Sequence, residues 1–537
     1  MGKCQVTSGT ITSGTTIGII YHCQQKYQMK SKIPLILFNS LGRLIQEFVP
    51  MQAGAARLYS CGPTVYHYAH IGNLRAYIFT DTLRRVLQWK GYDVFHVMNI
   101  TDVGHLTSDA DEGEDKVERA AQQENKSIWE IADFYTKQFQ HDLQLLNIQS
   151  PSLWTKATDH IQEMINFAMT CEQNGYTYVL DDGLYFDTAK VKNYGALALL
   201  DLSGQEEGAR VARIASKRNP ADFVLWRRSP TNAKRLMEWH SPWGMGAPGW
   251  HLECSAMSIK YLGEQFDIHT GGIDHRQIHH CNEIAQNQAF LGSDSAAANF
   301  WLHNEFLNMT NQKMSKSTGH FIRLQNLIDL GIHPLVFRYF CLMATYRTPL
   351  DFSMEAVVAA KNGLVRLLKR IDVLKKQSKD YKWLATISEA RYSNGAAFTF
   401  IREEIESGLS NDCKSYIEKF DAAISDDLNI PQGLALLSSV VTDQNLVPDD
   451  AIRLIAAFDL VFGLQLLELS PQDLNIRPAS ASIDESIILE MIDKRNSARN
   501  AHDFKAADEI RNTLLSKGVS IMDTNEGSSW EWLVIPQ

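Results

Sequence analysis

The stretch Arg57-Leu-Tyr-Ser-Cys61-Gly-Pro-Thr-Val-Tyr-His-Tyr-Ala-His70-Ile-Gly72-Asn73-Leu-Arg75 decides the fold. β-forming residues run from Arg57 into Cys61 and a loop passes through His70 and Gly72. Leu74, Tyr77, Ile78, Leu83, Val86 and Leu87 then recur at helical spacing. That spacing predicts a helix from about Asn73 to Lys90, with Gly91 as its stop. Asp93–Ile100 follows as a short β-rich run, which completes a strand–helix–strand unit of the parallel, doubly wound α/β kind. No Gly-x-Gly-x-x-Gly accompanies it, so nothing here points to a dinucleotide site.

Downstream, the chain changes character between about Gly104 and Gly249, with polar helical segments and a hairpin signal at Tyr176–Leu180, Asp181-Asp182-Gly183 and Leu184–Asp187. This region reads as an insertion. Parallel-sheet material resumes with Phe266–Thr270, a turn at Gly271-Gly272, a helix from about His279 and a strand near Trp301–Met309. After about His320 the chain reads as almost wholly helical, with amphipathic stretches at Leu324–Leu330, Pro334–Thr345 and Ala356–Lys376 that suggest an appended bundle. A final unit from about Ile483 to Gln537 is helical and ends in a short segment containing glycine and tryptophan.

A chain of 537 residues must divide into several domains, because single cores stop growing near about 250–300 residues. Its net charge of -10 argues against nucleic-acid binding through the overall field and leaves local basic faces as the route to RNA. The strongest such run is Arg366, Lys369, Arg370, Lys375, Lys376, Lys379 and Lys382, which reads equally well as a solvated helix face. The apolar run Ile33–Phe38 is far short of the roughly 20 residues that span a bilayer, and no transmembrane helix is expected. The eight cysteines lack the pairing of a secreted disulfide framework and fit a reducing compartment, the cytoplasm. Residues 1–32 have no acid and no arginine and are rich in Ser and Thr; they half resemble a transit peptide and are read as a poorly ordered extension.

Three constellations carry chemistry. His70 and Asn73 stand where a strand turns into a helix, a point whose unpaired N–H groups and dipole favour phosphate, and Gly72 lets a nucleotide approach the backbone. Lys313-Met-Ser-Lys316-Ser317 follows a predicted strand, and two lysines there can stabilise pyrophosphate as it leaves; a solvated basic turn is the alternative. Cys61, Cys254, His279 and Glu283 form a third set. His279 and Glu283 are one helical turn apart on a shared face, and thiolate, imidazole and carboxylate together suit tetrahedral zinc. His280 and Cys281 compete for those roles, and lone cysteines are commonly core residues.

Taken together these residues resemble the class I aminoacyl-tRNA synthetases, whose signatures read His-Ile-Gly-His and Lys-Met-Ser-Lys-Ser on the two halves of a split Rossmann fold. The first stands here as His70-Ile71-Gly72-Asn73, and the second is complete. After about Ile33 the surroundings resemble the cysteinyl-tRNA synthetases among them. The matching blocks are Cys61-Gly-Pro-Thr-Val-Tyr, Asn99-Ile-Thr101-Asp-Val, Gly249-Trp250-His-Leu-Glu-Cys254-Ser-Ala-Met, Gly271-Gly-Ile-Asp274, His279-His-Cys-Asn-Glu283-Ile-Ala-Gln and Tyr346-Arg-Thr-Pro-Leu-Asp-Phe-Ser353. The usual Asp-Leu-x-Phe-Pro-His-His is altered to Asp274-His-Arg-Gln-Ile-His-His280.

The resemblance implies a Rossmann-type catalytic domain split between 33–104 and 250–320 by an α+β connective insertion at 105–249. An α-helical bundle that contacts tRNA would cover 321–480 and a small anticodon-binding domain 481–537. It implies cysteine activation by Mg-ATP followed by transfer to tRNA-Cys, in a cytoplasmic monomer with no membrane association. It implies one zinc per chain on Cys61, Cys254, His279 and Glu283, which takes the substrate thiolate and so rejects serine without editing. Cys61, Thr101 and Trp250 would contact cysteine. Gly62, Thr64, His70, Gly72, Asn73, Asp274, Lys313 and Lys316 would contact ATP, with His70, Asn73, Lys313 and Lys316 catalytic. Phe420–Pro431, Arg495–Arg499 and Asp503–Arg511 also match the family. For these the alternative is ordinary helix surface over a buried Phe504, and Trp530 and Trp532 are either a base-stacking platform or core. A related ligase that joins cysteine to an amino sugar lacks a full anticodon-binding end, whereas this chain continues from Lys316 to Gln537. A non-catalytic RNA-binding paralogue would have no need of intact His70, Lys313, Lys316 and zinc ligands.

Overall fold

The computed structural model describes residues 33–104, 120–121, 124, 126–198, 217–230, 235–309, 322–384, 395–524 and 527–534. The expectation for residues 1–32 and the lysine signature with Lys313 and Lys316 lie outside them.

The quoted stretch folds as strand β1 (Ala55–Ser60), helix α1 (Ile71–Trp89) and strand β2 (Asp93–Ile100). With β3 (Leu153–Lys156), β4 (Phe266–Gly272) and β5 (Ala298–Asn304) they make a five-stranded parallel sheet in the order β5-β4-β1-β2-β3. Helix α1 begins two residues before the predicted start, because His70 caps it: the Asn73 amide donates to His70 Nδ1 and the His70 amide donates to Asn73 Oδ1. A histidine cap is absent from the usual Ser, Thr, Asp and Asn set, so the periodic pattern alone places the start too late.

Alternation along the strands divides the sheet into two cores. Leu58, Met98, Ile268 and Leu302 face one side, packed with α1 and the C-terminal helices, while Tyr59, Val97 and Trp301 face the other, packed with α2 (Trp250–Leu262) and α3 (His279–Leu291). The placement of the insertion at 105–249 needs correction at its first end. Leu153–Lys156 is a strand of the catalytic sheet, paired in register from Val97↔Leu153 to Ile100↔Lys156. Four residues are too few to show a period beside the strong helical signal of Ile128–Leu145. The inserted material proper carries a four-stranded antiparallel sheet, with the predicted hairpin at Thr177–Leu180 and Gly183–Phe186.

The expected strand near Trp301–Met309 is two: β5, and Leu307–Met309, which leaves the main sheet to pair with Leu350–Phe352. The helical region shares one core with α1. Helices α4 (Pro334–Leu342), α5 (Met354–Gln377) and α6 (Pro448–Phe462) belong to it. Ile483, Ile488, Ile492, Leu514, Val519, Ile521 and Trp532 form a separate small core, closed by the hairpin Val519–Thr524 and Gly527–Trp532. No helix among the described residues is long and apolar enough to cross a membrane.

Candidate functional site

In a parallel α/β sheet, ligands bind beyond the carboxyl ends of the strands. Here a cavity of about 230 Å³ opens there, between the ends of β1, β4 and β5 and the start of α1. Cys61, His70, Gly72, Asn73, Asp274 and Asn304 are among its walls. Gly62, Thr64, Thr101 and Trp250 are not among them.

The His70 cap decides what that side chain offers. Nδ1 accepts the Asn73 amide at 3.1 Å, so a neutral ring carries its proton on Nε2, a donor for phosphate oxygen. Burial holds its pKa below the ordinary value, with nearby Asp274 opposing. Asn73 spends Oδ1 on the His70 amide and keeps its amide N–H groups for a ligand. At Gly72 a Cβ would press on the His70 ring at 3.0 Å, and at Gly272 it would meet Asp274 Oδ1 at 2.2 Å. At both positions a side chain would have to displace the neighbouring His70 or Asp274. Gly62 is tighter still: its N–H donates to Asn99 Oδ1 at 2.8 Å, and a Cβ would lie 1.6 Å from the Asn99 carbonyl oxygen.

Behind this cavity the distant cysteines, histidines and acid converge. Cys61 Sγ lies 3.8 Å from Cys254 Sγ and 3.9 Å from Glu283 Oε1, and His279 Nε2 lies 2.9 Å from the same oxygen. The ligand atoms of Cys61, Cys254, His279 and Glu283 all fall within 4.8 Å of one another, and all four residues are buried. A second set, Cys61, His269, His280 and Glu283, meets the same criterion. The two differ in how their histidines are engaged. His280 faces its set through Nε2, 3.4 Å from Cys61 Sγ, with Nδ1 on His303 Nε2 at 2.7 Å; His269 Nε2 is spent on Glu283 Oε2 at 3.0 Å, whereas His279 Nε2 is buried with no well-directed hydrogen bond. The first set therefore fits a soft metal: two sulfurs, a carboxylate, and an imidazole nitrogen that lacks an aligned partner.

The electrostatics are those of a buried donor cluster. Burial pushes the Cys61 thiol well up, aided by Cys254. Cys254 is brought down to about 7, chiefly by the hydrogen bond from Cys61 and against the effect of burial. Burial would raise Glu283, but His269 and His279 outweigh it and hold the carboxyl at about 2. The Trp250 ring lies tilted against His279, centroids 4.1 Å apart, so it packs on a cluster member. Thr101 donates to Glu253 Oε2 at 2.8 Å and accepts from Asn99.

Sequence reasoning passed over His251, His269, His303 and Glu253. His251 Nδ1 sits 3.0 Å from His279 Nδ1, and His303 Nδ1 sits 2.8 Å from Ser40 Oγ. A histidine next to Ile268 in the short β-rich run Phe266–Thr270 was the available signal. At the far end of the chain Phe504 is 60% exposed, against the buried reading, because it opens its helix as the first residue. Trp532 is core at 4% exposure, with Trp530 packed beside it, so the platform reading loses Trp532. Arg366, Lys369, Arg370 and Lys376 are exposed along α5.

A family model described as tRNA synthetases class I (C) catalytic domain matches residues 47–362. The chain is similar to the cysteine–tRNA ligase of Zymomonas mobilis subsp. mobilis, 52% identical over 514 residues that cover 94% of this chain and 98% of that one. It is similar to that of Novosphingobium aromaticivorans, 48% identical over 506 residues covering 93% and 97%. With that of Treponema denticola it shares 45% over 502 residues, covering 93% and 100%.

Proposed function

The chain belongs to the class I cysteine–tRNA ligases, and from that premise we propose that a zinc ion on Cys61, Cys254, His279 and Glu283 selects cysteine by its thiolate. The enzyme joins cysteine to tRNA at the cost of ATP. The observation that carries the zinc reading is the buried convergence of those four ligand atoms within 4.8 Å. Zinc supplies there a soft Lewis acid that holds a thiolate in preference to a hydroxyl.

The remaining steps belong to the chain's own residues. ATP occupies the cavity at the head of α1, where helix N–H groups and the His70 Nε2 proton meet its phosphates. Gly62, Thr64, Gly72 and Asn73 shape that approach. Asp274, on the cavity wall, holds the nucleoside or the substrate amine. The cysteine carboxylate attacks the α-phosphate, and pyrophosphate leaves toward Lys313 and Lys316. The terminal ribose hydroxyl of tRNA-Cys then attacks the adenylate carbonyl, forming the ester as the acyl–phosphate bond breaks and AMP leaves, with the hydroxyl proton passing to the phosphate. No side-chain nucleophile is used, so catalysis is positioning and charge stabilisation. Thr101 and Trp250 support the amino-acid side through Glu253 and His279. The described site residues all come from one chain, which suits a monomer. The six described cysteines are free and buried, which suits the cytoplasm.

The test is charging of total tRNA with cysteine and with serine, before and after zinc removal, beside Cys254→Ser. Zinc removal should abolish cysteine activation, and Cys254→Ser should weaken it far more than it weakens ATP binding. Charging with serine, or indifference to zinc, would refute the selection.

A further inference from the structure

Strand β5 ends at Asn304, which carries an unpartnered side-chain oxygen on the wall of the cavity. It is 4% exposed. Its Nδ2 donates to the Glu305 carbonyl at 3.1 Å, which fixes the orientation of the amide, since a carbonyl can only accept. Oδ1 is then left buried with no hydrogen-bond partner, and Asn304 forms part of the wall of the cavity at the head of α1. A buried acceptor without a donor is costly, and native structures tolerate it where a ligand supplies the donor.

The register shows which part of the substrates can reach it. Asn304 is level with Gly272 on β4, and β4 in turn pairs Thr270 with Ser60, the residue before Cys61. Asn304 therefore stands two strands away from the cysteine cluster, on the order of 10 Å at the usual strand spacing. Sulfur and ammonium nitrogen in cysteine are only a few bonds apart, so an amino acid held by its sulfur keeps its amine on the Cys61 side. The donor that meets Asn304 must come from the nucleotide.

We infer that Asn304 Oδ1 is a specificity-determining acceptor for the nucleoside of ATP, taking a hydrogen bond from a ribose hydroxyl or from the 6-amino group of the base. The inference rests on the assignment of this cavity to ATP. Equilibrium titration of the full zinc-loaded chain with Mg-ATP, in the absence of cysteine, reads it directly. Asn304→Leu should weaken ATP about tenfold, with zinc content and cysteine binding unchanged, and the smaller Asn304→Ala should do the same. The same titrations with 2′-deoxy-ATP, 3′-deoxy-ATP and purine riboside triphosphate identify the donor: one analogue should bind wild type and variant alike. ATP binding within twofold of wild type, in a background where His70→Ala weakens it, overturns the inference. So does an equal loss with ATP and all three analogues, which marks a purely structural role. If His70→Ala also leaves ATP binding intact, the cavity assignment falls and the inference falls with it.

Discussion

Asp81→Asn tests how the catalytic helix is held. Asp81 lies on α1 with no exposed side-chain surface, and its Oδ2 accepts from Arg85 Nε at 2.7 Å and from Arg338 Nη2 on α4 at 2.6 Å. Its Oδ1 takes the Gln149 amide at 2.9 Å. Arg338 continues to the Phe462 and Leu146 carbonyls and Arg85 to the Leu460 carbonyl, so the triad ties α1 to the end of α6. Burial would raise the Asp81 carboxyl, but the two guanidiniums outweigh it and hold it at about 2 against an ordinary 3.8. That gap corresponds to roughly 2–3 kcal/mol, at about 1.36 kcal/mol per pH unit. Because the folded value is the lower one, this stabilisation is fully present above pH 3.8 and is lost as pH falls through about 2. At neutral pH the amide variant leaves two buried guanidiniums without their anion, a cost of roughly 3–5 kcal/mol. Hydrogen exchange of peptides covering α1 and α6 should therefore accelerate by about two orders of magnitude or more. Pairing it with Arg338→Met should cost less than the sum of the two single changes. Asp81 is about 16 Å along the helix from His70, so cysteine-dependent ATP–pyrophosphate exchange should stay near wild type wherever the protein is folded. Exchange rates within threefold of wild type, or strict additivity, would refute the clamp.

Two further outcomes follow from the site and the C-terminal unit. His269→Leu removes the donor to Glu283 Oε2 at 3.0 Å and should cut zinc affinity about 10–100-fold, read as zinc retained against a graded chelator; an unchanged zinc content would show that His269 does not orient the ligand. Phe504→Ala, at a ring that is 60% exposed, should change stability by under about 0.5 kcal/mol while raising the KM for tRNA about fivefold or more. Cysteine-dependent exchange should not move, and an equal loss in both assays would place Phe504 in folding instead of RNA contact.

What the sequence disclosed and what it hid divide along a physical line. The strand–helix–strand unit was legible because α1 carries a strong apolar period, and β2 ends where the β-rich run ends. Cys61, Cys254, His279 and Glu283 were nameable by resemblance, and their chemistry was nameable from residue type. Their convergence was not, since three elements and a sheet must fold before Cys61 meets Glu283 at 3.9 Å. On α1, Asp81, Arg84, Arg85 and Gln88 stand between the apolar positions that set the helical period. All four are buried, and Asp81 and Arg85 are paired far along the chain, Asp81 with Arg338 and Arg85 with the Leu460 carbonyl. Hydrophobic periodicity reports which face is apolar; it is silent about a polar face that is buried and paired. The same silence covers Asn304 and His269, polar residues at strand positions where burial is the rule. The roles proposed for Asn304 and His269 both turn on that point, because a buried polar atom that the fold leaves unpaired is one that a ligand can pair.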